Sequence, residues 1–395
     1  MHIALHGKSP MPGASANVNF DGHEIRRTTL SLDPNRLPDM PELMIAGPGE
    51  LHEEDLSILG SQLMAHYGDV WTQLHADALA ALGRFLGAAD IPYVIPGTGT
   101  TCLDAAYFNL FEAGQKVVVC DTGYFGQRSK ELALAHRLEV VEVPVEVGAP
   151  IDPARIADVI DGAHGVVTVH VETATGVRHP IEEIARVAHG SGAVYMVDGI
   201  ASVGGEKVNV DEMELDCLVT GTQKGLESPP GLGILALSAG GRARVEARSE
   251  RPDSWYLDLK IWDKYRTEWG SWHPHPVTMP TALVMAMYSS IRRILDHGLD
   301  AWIERRAALA QKVRAGLTEL GLDLVPEEGA GANLVVAAWA DDPAAIQAHL
   351  LDNGVMISGG LTPTAGKAIR IGLMGRTATE EHVDRVLKLI GEALA

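Results

Sequence analysis

The chain has 395 residues, enough for two domains at roughly 100–200 residues each. Its 46 % apolar and 21 % charged residues are those of a globular protein, which excludes a wholly disordered, collagenous or disulfide-scaffold chain. With 32 Lys and Arg against 52 Asp and Glu the formal charge is −20, which argues against nucleic acid as a partner, because phosphate backbones need basic stripes.

Residues 1–41 are polar and broken by Pro10, Pro12, Pro34, Pro38 and Pro41, and read as an N-terminal arm. The opening residues lack the apolar stretch of a secretion signal, and no apolar run reaches the length of a membrane span. Cys102, Cys120 and Cys217 have no CxxC spacing and are expected as free, buried thiols in a reducing compartment. The expected location is the cytoplasm.

A regular alternation begins near residue 68. Asp69 is a candidate N-cap for a helix carrying Val70, Leu74, Leu79, Leu82 and Phe85. Strands are predicted over 93–95, 116–120, 138–143, 165–170, 194–197, 217–220 and 233–237. Helices are predicted over about 100–111, 125–136, 152–160 and 181–190. Short β-rich runs separated by helices imply βαβ units and a mainly parallel sheet, whose ligands sit at the C-terminal strand ends. Residues 251–278 differ: they hold Trp255, Trp262, Trp269 and Trp272 with His273, Pro274, His275 and Pro276. A helical stretch over 280–318 then leads to a strand at 333–339, a helix at 343–353, a strand at 367–373 and a helix at 379–394. The expected fold class is α/β: a large domain over 42–297 and a smaller C-terminal α+β domain over 298–395.

Three segments could carry chemistry. Pro96-Gly97-Thr98-Gly99-Thr100-Thr101 lies between a strand and a helix, where bare N–H groups and the positive helix end attract a phosphate, although a plain tight turn reads the same way. Asp198 ends the strand at 194–197, where a buried carboxylate is costly unless paired. Lys224, in Gly221-Thr222-Gln223-Lys224-Gly225, follows the strand at 217–220 and is placed for a Schiff base. A phosphate cradle, a buried acid and a lysine, each at a strand end, are together what a protein contributes to pyridoxal phosphate chemistry.

The sequence here resembles the class V aminotransferases of fold type I, in the alanine–glyoxylate and serine–glyoxylate branch, from about Ile45 to the C-terminus. The resemblance rests on AGPG (46–49), GTGTTCLDAA (97–106), TGYFGQR (122–128), ETATGV (172–177), VDGIASVGG (197–205), GTQKGLESPPG (221–231), WYLDLK (255–260) and GGLTPTAGKAIRIGLMG (359–375). It implies pyridoxal 5′-phosphate as cofactor, with Lys224 as the Schiff-base lysine and Asp198 on the pyridine nitrogen. Thr98, Gly99, Thr100 and Gln223 would hold the phosphate, Thr173 the ring hydroxyl, and Phe125 would stack on the ring. Arg370 would clamp the substrate carboxylate. The loop with Gly49 and Glu50 would lie near the substrate. A homodimer with shared sites is also implied, His275 and Thr278 crossing to the partner's phosphate. The expected reaction moves an amino group from a small amino acid, alanine or serine by default, to a 2-oxo acid such as glyoxylate or pyruvate. The other reading is a lyase, decarboxylase or epimerase on the same scaffold. Gln223 before Lys224, where desulfurases of this family carry His, disfavours a cysteine desulfurase. No metal-ligand spacing occurs.

Overall fold

The computed structural model describes residues 40–249 and 253–395. The expected arm therefore lies almost wholly outside the described residues.

Seven strands form the main sheet in the order Tyr93–Pro96, Leu232–Leu237, Cys217–Gly221, Val194–Asp198, Gly165–Val169, Lys116–Asp121, Glu139–Pro144. Leu232–Leu237 is antiparallel to both neighbours, and the other pairs are parallel. Gly165–Val169, Cys217–Gly221 and Leu232–Leu237 are buried at every position. Their runs of Val, Leu and Ile follow from helices covering both faces, where no side chain alternates into water. Register places Val169 beside Asp198 and Asp198 beside Val219, so adjacent strands end level on one side of the sheet.

A second sheet sets Ala368–Gly372 between Val335–Trp339 and Ser358–Gly359, all antiparallel. Leu309, Val313, Ile346, Leu350, Ile369, Ile371, Val383 and Val386 form its apolar cluster, separate from that of the main sheet. The architecture is α/β with a mainly parallel central sheet, as expected. Cys102, Cys120 and Cys217 are free and buried. No helix among the described residues is long and apolar enough to cross a membrane.

Several details differ from expectation. The helical stretch over 280–318 is two helices, Thr281–His297 and Leu299–Glu319, parted at Gly298, whose φ of 92° a helix cannot contain. Asp69 does not cap its helix: Gly68 holds the N-cap position and Asp69 is the first helical residue, where a carboxylate still meets the positive helix end. The helix Leu259–Glu268 lies inside the Trp-rich segment, and its signal was the Asp258 side chain accepting the Lys260 N–H at 3.0 Å. Glu53–Leu59 and Ala239–Ala247 are further unpredicted helices. Glu42–Leu43, expected with the large domain, pairs with Val355–Met356, and Met44 packs in the second cluster.

Candidate active site

Residues at and just past the level strand ends line a cavity of about 230 Å³. Thr98, Gly99, Thr100, Phe125, Thr173, Asp198, Gln223 and Lys224, gathered from five separate stretches of chain, all border it. Gly47, Pro48 and Arg128 complete the wall nearest the lysine and the ring position.

One end of the cavity is built for an anion. Helix Gly99–Leu110 starts here with an extended N-cap at Thr98 and no acidic residue in its first turn. Thr101 Oγ1 accepts the Thr98 N–H at 3.1 Å, which orients the turn. The free N–H groups that follow, together with the helix dipole, favour negative charge. Gln223 Oε1 is buried without a hydrogen-bond partner among the described residues. An amide held so loosely can turn its NH₂ toward an anion.

The titratable groups differ from their solvated counterparts. Asp198 is buried, and its Oδ1 accepts the Ile200 N–H at 2.9 Å. Burial pushes its carboxyl up to about 7; the Ile200 bond and the charges of Arg128 and Lys224 oppose this, and Glu172 adds to it. Lys224 is pulled down to about 8, first by burial and then by the Arg370 charge, with Asp198 opposing. Its Nζ donates to the Ala46 carbonyl, and no carboxylate lies within 4.0 Å of it among the described residues. Gly47 makes that approach possible: at φ 104° it packs so close that a Cβ would fall 2.6 Å from Lys224 Nζ. The result is a lysine with a substantial neutral fraction near pH 8, hence a usable nucleophile and base.

Arg370 lies in the Ala368–Gly372 strand. Its Nε donates to Gly359 O at 2.7 Å and its Nη1 to Thr173 O at 2.9 Å, which fixes the guanidinium plane. Thr173 thus touches both the cavity and the arginine.

Two expected residues are engaged elsewhere. Glu50 Oε1 accepts the Leu43 N–H at 2.7 Å and Oε2 pairs with Arg376 Nε at 2.6 Å, so its carboxylate is structural and does not border the cavity. Its neighbour Gly49 donates its N–H to Gln223 O at 3.2 Å and shapes the lysine loop from behind. His275 is buried, with Nε2 accepting the Trp71 indole N–H at 2.9 Å and Nδ1 donating to Val277 O at 2.7 Å. Burial, with His75 and His273 nearby, pushes it down to about 3. Thr278 is exposed. Sequence reasoning assigned nothing to Arg128 or Glu172, although both lie in quoted motifs. The Arg128 guanidinium stacks 4.9 Å from the Phe125 ring centroid, and no carboxylate pairs with it among the described residues.

The sequence profile of the family described as Aminotransferase class-V matches residues 54–386. An uncharacterized aminotransferase of Methanocaldococcus jannaschii is 32 % identical over 86 % of this chain and 89 % of its own length. The alanine–glyoxylate aminotransferase of Oryctolagus cuniculus is 28 % identical over 91 % of this chain and 93 % of its own. The crystal structure of ureidoglycine–glyoxylate aminotransferase from Bacillus subtilis superposes with a TM-score of 0.86 at 26 % identity, covering 91 % of this chain and 94 % of that one.

Proposed function

This chain belongs to the class-V aminotransferases, a pyridoxal-phosphate-dependent transaminase of fold type I, and on that premise we propose that it moves an amino group from a small amino acid, alanine or serine, to glyoxylate or pyruvate. The observation that carries this reading is one cavity bordered by a depressed lysine, a raised aspartate and a helix start whose first N–H groups point free, with a backbone-anchored arginine beside it. The fit to the cofactor rests on the unpartnered Gln223 Oε1, the Gly99 and Thr100 N–H groups that the Thr98–Thr101 capping box leaves free, and the close approach of Gly47 to Lys224.

When bound, pyridoxal phosphate supplies an electron sink for negative charge at the substrate α-carbon. In this reading the N–H groups of Gly99 and Thr100, with Thr98 and Gln223, hold its phosphate. Asp198 faces the ring nitrogen, whose positive charge draws the carboxylate back to its ionised form. Thr173 holds the ring hydroxyl, and Phe125, backed by Arg128, forms one wall. Lys224 is the attachment point and moves the proton at the substrate α-carbon. Arg370 takes the α-carboxylate. The relatives named for glyoxylate support that acceptor. A half-reaction screen tests the donor: single amino acids are mixed with the yellow enzyme and loss of its visible band is followed. Alanine or serine should bleach it fastest; if neither does, the donor assignment is wrong.

We also read the enzyme as a cytoplasmic homodimer whose sites are shared, with the domain boundary at Gly298. Trp255, Trp269 and Trp272 are each about half exposed, and with Tyr67 and Tyr265 they form a ladder of ring contacts from 5.5 to 6.3 Å. Such an exposed aromatic strip suits an interface with a second copy. Thr278, and not His275, is the residue free to reach a partner's phosphate. Buried free thiols support the reducing compartment.

A further inference from the structure

Glu172 closes the strand Val171–Glu172 and is fully buried, yet no Lys, Arg or His side chain lies within 4.0 Å of its carboxylate among the described residues. Four neutral donors serve it instead. Oε2 accepts the Phe125 N–H at 3.0 Å, the Gly126 N–H at 3.2 Å and the Thr122 hydroxyl at 3.2 Å, and Oε1 accepts the Ala174 N–H at 2.9 Å. Burial pushes the carboxyl up and these bonds pull it down. Phe125 and Gly126 are the second and third residues of helix Tyr124–Ala135, the N–H groups that a cap residue ordinarily serves. The helix's own N-cap, Gly123, has no side chain to serve them. A carboxylate 47 residues along the chain therefore caps this helix from another element. The same helix turn carries Phe125 and Arg128, and the residue after Glu172 is Thr173, whose carbonyl anchors Arg370.

We propose that Glu172 is a positioning residue: by capping the Phe125 helix from the strand end that carries Thr173, it locks the ring wall of the cavity and the Arg370 guanidinium into one rigid unit. The inference rests on the roles given above to Phe125 and Arg370. It explains why a buried carboxylate without a counter-ion persists here, since three of its four bonds tie the Thr122–Gly126 segment to the strand end that carries Thr173. It also predicts coupling. Loosening the cap frees the Phe125 turn and the Thr173 carbonyl together, so grip on the cofactor ring and grip on a substrate carboxylate weaken together.

Glu172→Gln tests this, because it keeps the volume but must set an NH₂ against at least one N–H donor. Three readouts are taken on the purified full chain: amide hydrogen exchange over residues 124–127, the Kd of the cofactor-free protein for pyridoxal phosphate, and inhibition of the loaded enzyme by propionate. We expect exchange to quicken at least about tenfold at Phe125 and Gly126, with both affinities falling about tenfold or more. The pH midpoint of the bound cofactor's absorbance change should also fall, because a negative charge beside the site has gone, a shift that a merely structural lesion does not produce. Thr122→Val removes one donor only and keeps the test open should Glu172→Gln fail to fold; it should move exchange and both affinities the same way by a smaller factor. Unchanged exchange in these variants overturns the capping role. Faster exchange with both affinities within twofold of the parent overturns the positioning role. Neither result touches the attachment of cofactor to Lys224, which borohydride trapping reads separately.

Discussion

Lys224 and Glu227 are three residues apart, joined by the Glu227 N–H to Lys224 carbonyl bond at 2.9 Å, and both are withdrawn from solvent, but their surroundings are opposite. Glu227 is saturated: Oε2 meets His52 Nε2 at 2.9 Å, Oε1 pairs with Arg306, and Arg306 in turn holds Ala378 O at 3.0 Å and stacks 4.6 Å over Trp302. Burial pushes the Glu227 carboxyl up, but the His52 bond and the Arg306 charge outweigh this and hold it below its ordinary value. On the cavity side, among the described residues, the Lys224 side chain bonds only a carbonyl and the Asp198 carboxylate only one N–H. The loop is thus fixed by a buried ion pair, while the groups it presents are kept short of partners. Polar satisfaction behind the loop lets polar want persist in front of it.

The cavity side breaks hardest at Lys224. Lys224→Ala should abolish turnover and the borohydride-stable cofactor link; mass mapping of the reduced adduct to Lys207 in the parent enzyme would contradict the assignment. Asp198→Asn comes next. It should still bind cofactor but exchange the substrate α-proton more slowly by orders of magnitude, measured by loss of deuterium label. The same residue gives a pH signature in the cofactor-free protein. Its folded pKa, about 7, exceeds the ordinary 3.8, so its contribution to stability is full below about pH 4 and is lost as pH rises through 7. The parent should therefore lose stability between about pH 4 and 7 relative to Asp198→Asn, with no further loss above that range, and saturating cofactor should flatten that difference. A pH-independent difference between the two proteins would mean that Asp198 is ionised regardless of what faces it.

The saturated side should respond in stability and not in chemistry. Arg306→Leu leaves the buried Glu227 carboxylate with His52 but without its guanidinium partner, a loss of about 3–5 kcal/mol. Adding Glu227→Leu should return most of that loss, because the cost lies in the unpaired partner. Urea midpoints of the two single variants and the double decide it: additive losses would show that the pair is not the unit.

What the sequence disclosed and what it hid divide along the same line. Asp198, Lys224 and the Gly99 turn, which border one cavity, stood out in the sequence because each lies in a local pattern, strand end then loop. Glu172 and Arg128 sat in quoted motifs without a role, since a cap supplied across 47 residues has no local signature. The internal bonds of His275 were hidden for the same reason: its Trp71 partner is 204 residues away, and nothing beside His275 announces that both ring nitrogens are engaged within the chain. Glu50 likewise meets Arg376 only through the fold. The break at Gly298 was hidden by apolar periodicity that continues on both sides of one glycine. The mainly parallel sheet followed from the alternation of strand and helix, which needs no long-range partner to be read; the strand order did not.

Arg370 stands between the two conditions and gives the smallest of these effects. Like Glu227 it is anchored, with Nε on Gly359 O and Nη1 on Thr173 O; like Lys224 it has, in the proposed reading, a ligand that the chain itself does not supply. Burial pulls it down to about 10, with Glu172 opposing, so it stays charged throughout the neutral range. Arg370→Lys keeps the charge and loses the fork: one ammonium cannot hold two carbonyls and also present a planar pair of donors to a carboxylate. We expect kcat/KM for an amino acid to fall at least about tenfold, roughly 1.4 kcal/mol of transition-state binding. Amines that lack a carboxylate should react at nearly the parent rate, because nothing they carry used the fork. If both substrate classes lose equally, the two carbonyl anchors are the whole of what Arg370 does, and it belongs with Glu227 on the saturated side of the loop.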